Sequence, residues 1–133
     1  MSDLDFPTNN PILDYETITT LNPEKVFIDV ANIGKLKTEY DSHQEVFNMI
    51  DAFKNGEIYV QMPFNQYYTN IEIALADTYY IGSVVFPEAF KDIDPIAKFD
   101  EICSTMLDKQ ENYYELVSSF YNQGFGKLDV SKL

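Results

Sequence analysis

The stretch that most constrains the fold lies between residues 57 and 90, EIYVQMPFNQYYTNIEIALADTYYIGSVVFPEAF, and it contains no Lys or Arg. It holds eight of the chain's twenty Phe and Tyr residues. Apolar side chains alternate with polar or small ones at 58–62, at 71–76 and at 79–86. A period of two is typical of strands that bury one face. The stretch therefore predicts three consecutive β-strands, and the short links between them predict antiparallel pairing.

A helical pattern precedes this stretch. Ser42 and Glu45 fit a capping box, in which the Ser hydroxyl accepts from a backbone N–H three residues on and the Glu side chain reaches back. Apolar residues then recur at three- and four-residue spacing until Gly56, a residue that tolerates the left-handed cap. These signals predict a capped helix over about 42–55.

A second helical pattern follows. Asp94 and Pro95 form a good helix start, since an N-cap carboxylate is followed by proline at the first helical position. An apolar stripe continues from there and predicts a long C-terminal helix over about 95–122, with a break at 108–110 as the alternative.

The remaining segments complete an α+β prediction. Alternation at 26–30 predicts a fourth strand, whereas 11–21 fits either a short strand or one helical turn. We expect an antiparallel sheet of about four strands with both predicted helices packed on one face. A length of 133 residues fits one domain, assigned to 11–133, and the polar segment 1–10 is predicted to be a mobile arm.

The charge balance restricts the partners. The chain has 22 Asp and Glu against nine Lys and no Arg, which gives a net charge of −13 and a pI near 4.2. Such a surface repels nucleic acid and anionic lipid at physiological salt. The absence of Arg also removes the planar group that grips phosphate in two hydrogen bonds. The composition predicts no direct nucleic-acid binding and no membrane binding, and it favours a basic protein partner.

The compartment is inferred from the cysteine content and the N-terminus. Cys103 is the single cysteine and cannot form an internal disulfide. The first residues are acidic where a secretory signal is basic, and no apolar run approaches the roughly 20 residues of a membrane span. We therefore expect a cytoplasmic protein.

No motif predicts an enzyme. His43, the single histidine, lies in the capping box, and Cys103 lies on the apolar stripe of the last helix. Asp92 and Asp94 flank a helix start, where negative charge is favoured by the helix dipole. The chain has no calcium-loop, dinucleotide or P-loop motif. The sequence thus predicts no catalytic residues, no metal site and no cofactor.

The candidate binding residues are the tyrosines and carboxylates of the lysine-free stretch. Adjacent residues of a strand point to opposite faces, so each Tyr pair in a strand would send one ring outward. In one interpretation the Tyr rings fill an ordinary core and only their hydroxyls contact water. In the other the outward rings form a contact surface, since Tyr is enriched at interfaces. The predicted binding residues are Tyr59, Tyr67, Tyr68, Glu72, Tyr79, Tyr80 and Glu88.

These observations favour a non-enzymatic, acidic protein-interaction module that binds a basic protein through an aromatic sheet face. Aromatic rings next to carboxylates attract Lys and Arg through cation–π and Coulomb interactions together. One alternative is a nucleic-acid mimic that inhibits a DNA- or RNA-processing enzyme, as phage anti-defence proteins can do. A second alternative is a domain that binds a small organic cation in a pocket of rings and carboxylate.

Overall fold

The structure is a computed structural model that describes residues 14–66, 68–107 and 112–133, without the side chains at 66 and 68. This part of the chain contains seven α-helices and a three-stranded mixed sheet. The α+β class is confirmed. The strands are β1 (Val26–Asp29), β2 (Ile58–Gln61), β3 (Asn65–Gln66), β4 (Tyr68–Thr69) and β5 (Gly126–Lys127). The helices are α1 (Tyr15–Leu21), α2 (Ile33–Ser42), α3 (Gln44–Phe47), α4 (Asp51–Lys54), α5 (Ile71–Val85), α6 (Pro95–Met106) and α7 (Tyr113–Tyr121).

The main sheet has the order β1-β2-β5 and is not the antiparallel sheet of about four strands that the sequence predicts. Strands β1 and β2 are parallel, with Val26 opposite Ile58, and only β5 pairs antiparallel to β2. The parallel pairing follows from the connection, because the chain passes through α2, α3 and α4 before it enters β2, and such crossovers return a strand in the same direction. Strands β3 and β4 form a separate small hairpin.

The largest error of the sequence prediction concerns 71–76 and 79–86, which form the single helix α5 rather than two strands. Ala76, Asp77 and Tyr80 are buried and are spaced one, three and four apart, as on one face of a helix. Short apolar runs fit both the period of two of a strand and the period of 3.6 of a helix. The uninterrupted length of 15 residues is the feature that favours a helix.

The predicted capped helix over 42–55 is also wrong. Ser42 is the last residue of α2, and its hydroxyl donates to the carbonyl of Thr38 at 2.8 Å instead of capping a new helix. The following turns, α3 and α4, are separated at Ile50, whose backbone is extended (φ −87°, ψ 126°) and whose side chain is 1% exposed. Burial of Ile50 in the core therefore interrupts the helical pattern.

The predicted helix over 95–122 is two helices in the structure, α6 and α7. The break that the sequence offered as an alternative, 108–110, lies outside the described residues, but the helices on both sides of it are separate. The start of α6 is confirmed, since Asp94 Oδ1 accepts from the N–H of Ile96 at 2.9 Å and Pro95 begins the helix.

Of the segment 11–21, which fits either strand or helix in the sequence, Tyr15–Leu21 forms α1. Residues 11–13 lie outside the described residues, as does the arm predicted at 1–10. The N-cap of α1 is Asp14, whose side chain accepts from the N–H of Thr17 at 2.7 Å. The predicted strands at 26–30 and 58–62 are confirmed as β1 and β2. The largest fully buried side chains of the core are Phe99, Ile50, Ile58, Met62, Val60 and Cys103.

Two tyrosine hydroxyls hold the C-terminal segment against the core. Tyr80 Oη accepts from the N–H of Gly126 at 2.9 Å, and Tyr114 Oη accepts from the N–H of Phe125 at 2.7 Å. The Phe125 ring stacks on Tyr80 with centroids 4.1 Å apart. At Gly124 a side chain would overlap the Tyr114 hydroxyl, so glycine is required for this approach. Strand β5 therefore depends on tyrosines from α5 and α7.

Candidate binding site

The tyrosines and carboxylates predicted to bind a partner do not share a sheet face. Tyr59 alone lies on β2, whereas Glu72 lies in the first turn of α5 and Tyr79 and Tyr80 lie near the middle of that helix. Glu88 is exposed in the connector after α5. Tyr67 and the side chain of Tyr68 fall outside the described residues. The sheet face expected from the sequence is absent because α5 is a helix, and the binding role of these residues stays a prediction.

Lysines from distant segments cover two of these rings. Lys127 on β5 lies with its Nζ 5.5 Å from the ring centroid of Tyr59, and Lys98 on α6 lies 5.6 Å from that of Tyr79. Tyr59 also donates its hydroxyl hydrogen to Glu57 Oε2 at 2.6 Å. Tyr80 is only 6% exposed. The lysine-free stretch of the sequence is thus not a lysine-free surface.

An apolar groove lies on another part of the molecule, between α7 and the segment that leads from β2 into α5. It encloses a cavity of about 350 Å³. Its residues, which we call the α7 groove, are Pro63, Asn70, Ile73, Leu116, Val117, Phe120 and Tyr121. The cavity falls within the range of sizes typical of ligand sites, roughly 300–1,000 Å³.

Two large apolar side chains of α7 stand on the edge of this groove. Phe120 is 77% exposed and Leu116 is 62% exposed, and the two are four residues apart on the same side of the helix. Val117, which also lines the groove, is partly buried and packs against the core. Contiguous exposed apolar surface of this kind marks interaction sites, because water contact with it is unfavourable.

The base of the hairpin supplies the opposite wall. The backbone N–H of Asn70 donates to the carbonyl of Phe64 at 2.7 Å, which closes the β3–β4 hairpin between Pro63 and α5. Pro63 is buried and Ile73 is half-buried against the core. Tyr68, one of the residues predicted to bind a partner, belongs to this hairpin by its backbone.

The two helices that contribute to the groove carry only acidic charge. Neither α5 nor α7 contains Lys or Arg, and each carries a glutamate in its first turn, Glu72 and Glu115. Neither glutamate lines the groove itself. Six lysines elsewhere lie within 4 Å of a carboxylate, so much of the positive charge is locally neutralised: Lys25, Lys37, Lys54, Lys98, Lys127 and Lys132. The groove is therefore an apolar surface on two acidic helices of a chain with net charge −13.

A buried carboxyl group lies on the core face of α5. Asp77 is 3% exposed, and its Oδ1 accepts from the N–H of Met62 at 3.0 Å. Its Oδ2 is buried and has no hydrogen-bond partner among the described residues. Burial raises the pKa of Asp77 to about 7, the Met62 N–H opposes this rise, and the negative charge of Asp29 adds to it. The sequence pattern gives no reason to bury Asp77, because it places this residue in the short link between the predicted strands at 71–76 and 79–86.

His43 does not lie in a capping box, and it is close to polar side chains of two helices. Its Nδ1 lies 3.1 Å from the hydroxyl of Tyr15 and 3.6 Å from Glu39 Oε2. Tyr15 and Glu39 come from α1 and α2, so only the folded chain brings the three together. Cys103 is 2% exposed, as its place on the apolar stripe predicts, and burial raises its pKa to about 11. No group of three or more His, Cys, Asp or Glu within the described ranges is arranged to hold a metal ion.

No model of a known protein family matches the chain, and no curated protein matches its sequence significantly. Across the described helices, none combines the length and the apolar character needed to span a membrane.

Proposed function

We propose that this protein is an acidic interaction module that binds a basic, amphipathic segment of another protein in the α7 groove. The observation that carries the proposal is the exposure of Phe120 and Leu116 beside a preformed apolar cavity. The proposal keeps the class of function predicted from the sequence and moves the binding surface from the strands to α7.

The apolar part of the partner is inferred from the shape of the groove. A cavity of about 350 Å³ has room for one or two large side chains. Phe120 and Tyr121 form an edge-on aromatic pair with centroids 5.0 Å apart at the open side. Binding energy at interfaces concentrates in such aromatic and aliphatic contacts, where water is excluded from both partners. A partner helix with apolar residues three and four apart presents such side chains on one face, where they can enter the groove together.

The charge of the partner is inferred from the net charge of the chain and from the helices that contribute to the groove. A chain of net charge −13 repels acidic segments, and Glu72 and Glu115 place negative charge on the two helices that contribute to the groove. Complementary charge mainly raises the association rate and selects the partner, whereas the apolar contacts slow dissociation. The best ligand therefore has lysines on the face opposite to its apolar stripe.

A designed peptide tests this proposal without a known partner. The probe is a helix of Leu and Lys of about 16 residues, long enough to form four turns, with Leu on one face. A peptide in which Glu replaces every Lys has the same apolar stripe and reverses the charge. Fluorescence anisotropy should detect binding of the Lys peptide, weakening as salt increases, and much weaker binding of the Glu peptide.

Matched variants of the protein locate the interaction. Phe120→Ala removes a groove contact and should weaken binding about tenfold or more. Phe86→Ala is the control, since Phe86 is also exposed, at 64%, and does not line the groove. Equal loss of affinity in the two variants, or equal binding of the two peptides, would show that the interaction is non-specific and the proposal wrong.

The contribution of acidic charge on α7 is tested by the association rate. Glu115→Lys changes the charge on the helix that supplies four of the groove residues, and Glu45→Lys makes the same change on α3. Both variants have the same net charge, so only the position of the change differs. We expect the Lys peptide to associate more slowly with Glu115→Lys than with Glu45→Lys, and identical rates in the two variants would contradict a directed role for the charge on α7.

A further inference from the structure

A second cavity, of about 620 Å³, lies among α1, α2, α3 and β1, and it shares no residue with the α7 groove. Its walls are apolar, with Ile18 from α1, Ile28 from β1, Leu36 from α2 and Phe47 from α3. A cavity of this size with hydrophobic walls and a few polar groups is typical of sites for small organic molecules.

The polar groups of this cavity are arranged around one carboxylate. Glu39 Oε2 accepts a short hydrogen bond from the hydroxyl of Tyr15, and this bond raises the pKa of the Tyr15 hydroxyl, which stays protonated and continues to donate. The Tyr15 ring lies 4.7 Å from that of His43, and His43 Nδ1 lies 3.6 Å from Glu39 Oε2. Among the described residues the contacts of Glu39 are made by Oε2, which leaves Oε1 to accept from a ligand.

The charge of the lining selects the sign of the ligand. Asp14 and Glu39 contribute two carboxylates and Lys35 one ammonium group, so the lining carries an excess of negative charge within a chain of net charge −13. A carboxylate or phosphate ligand would pair with Lys35 alone and be repelled by the other charges. A cation is attracted by the carboxylates, and the aromatic rings of Tyr15 and Phe47, which both line the cavity, can add cation–π attraction.

We propose that this cavity binds a small hydrophobic ammonium compound. Its apolar body packs against Ile18, Leu36 and Phe47, and its ammonium group donates to Glu39 Oε1. The Tyr15 hydroxyl acts as a positioning group, because its hydrogen bond holds the Glu39 carboxylate at the edge of the cavity. The site is independent of the α7 groove, so either proposal can fail without the other.

Three probes of one carbon skeleton test the chemistry on the unaltered protein. They are naphthylmethylammonium, the neutral naphthylmethanol and the anionic naphthoate, each followed by amide chemical shifts in a heteronuclear NMR titration. A charge-assisted hydrogen bond should make the ammonium compound bind about tenfold more tightly than the alcohol. The largest shifts should fall on α1 and α2. Equal affinities of ammonium and alcohol, or shifts centred elsewhere, would overturn the proposal.

A pair of variants then assigns the carboxylate. Glu39→Gln keeps an acceptor for Tyr15 and removes the charge, so the affinity for the ammonium probe should fall about tenfold, to the level of the alcohol. Glu45→Gln makes the same change on α3 outside this cavity and should leave the affinity within about twofold. Equal effects of the two substitutions would refute the role of Glu39. The comparison of the three probes decides the proposal even if Glu39→Gln fails to fold.

Discussion

Asp77→Asn is the substitution whose effect on stability follows most directly from the structure. The Asp77 carboxyl group is 3% exposed, and burial raises its pKa from 3.8 to about 7. Between these values the folded protein holds a proton on Asp77 that the unfolded chain has released. Stability therefore falls as pH rises through this window, and it levels off above about 7, where both states are ionised.

The size of the effect can be worked out from the same values. Each pH unit inside the window changes the free energy of unfolding by about 1.4 kcal/mol. From pH 5 to pH 7 the loss from Asp77 alone is about 2 kcal/mol, because the slope falls as the folded-state pKa is approached, and it reaches about 3 kcal/mol by pH 8. Asn cannot ionise, and its side-chain oxygen can still accept from the N–H of Met62. The variant should gain about 3 kcal/mol relative to the natural chain between pH 5 and pH 8.

Urea titrations of both proteins at pH 5, 6, 7 and 8 measure this difference. The lowest pH stays above the pI of about 4.2, where the net charge vanishes and solubility is poor. Asp92→Asn is the control, because it makes the same substitution at an exposed position. The reasoning is refuted if the free energies of unfolding of Asp77→Asn and the natural chain run parallel from pH 5 to pH 8.

Four further outcomes follow from single positions in the fold. Tyr114→Phe leaves the N–H of Phe125 without its acceptor and should lower the free energy of unfolding in urea by about 1–2 kcal/mol; an unchanged midpoint would contradict the role of the hydroxyl. Gly82→Ala places a methyl group into an aromatic ring and should destabilise by about 1–3 kcal/mol, whereas Gly34→Ala, on an exposed helix with open space, should stabilise by about 0.5–1 kcal/mol. The Cys103 thiol should react with iodoacetamide only after unfolding, and rapid labelling of the folded protein at pH 8 would contradict its burial and raised pKa.

The sequence predicted correctly those elements whose conformation is set by neighbouring residues in the chain. Strands β1 and β2 follow from alternation, and α6 follows from Asp94 and Pro95, because a cap and a fixed proline φ act within one turn of the backbone. The parallel pairing of β1 with β2 and the antiparallel pairing of β5 depend on contacts across many residues. No local pattern encodes them, and the short β5 was not recognisable as a strand.

Helix α5 shows how a correct pattern can favour the wrong element. Its β-branched residues and its alternation at 71–76 favour a strand, whereas the buried set that includes Ala76, Asp77 and Tyr80 fits a helix. The segment is a helix in the folded protein, where these three residues are buried together on one face. The error also made the predicted binding surface wrong. Consecutive side chains point to opposite faces of a strand, whereas on a helix they point about 100° apart, so the residues expected on one face do not share it.

The candidate sites were less predictable than the fold class because they combine distant segments. Phe120 and Ile73 meet around the α7 groove only after α7 packs beside the hairpin base. Tyr15 and Glu39 approach each other from α1 and α2 in the same way. The acidic character of the chain was visible in its composition, and it enters both proposals as the property that selects a cation.

The most direct test of the proposed function is an amide chemical-shift map of the full chain with the Leu and Lys peptide. The largest shifts should fall on the residues that line the α7 groove, with Ile73, Val117 and Phe120 among them, and Phe120→Ala should reduce them. Shifts centred on Phe86 and the outer face of α5, or spread evenly over acidic residues of the surface, would contradict the α7 groove as the binding site.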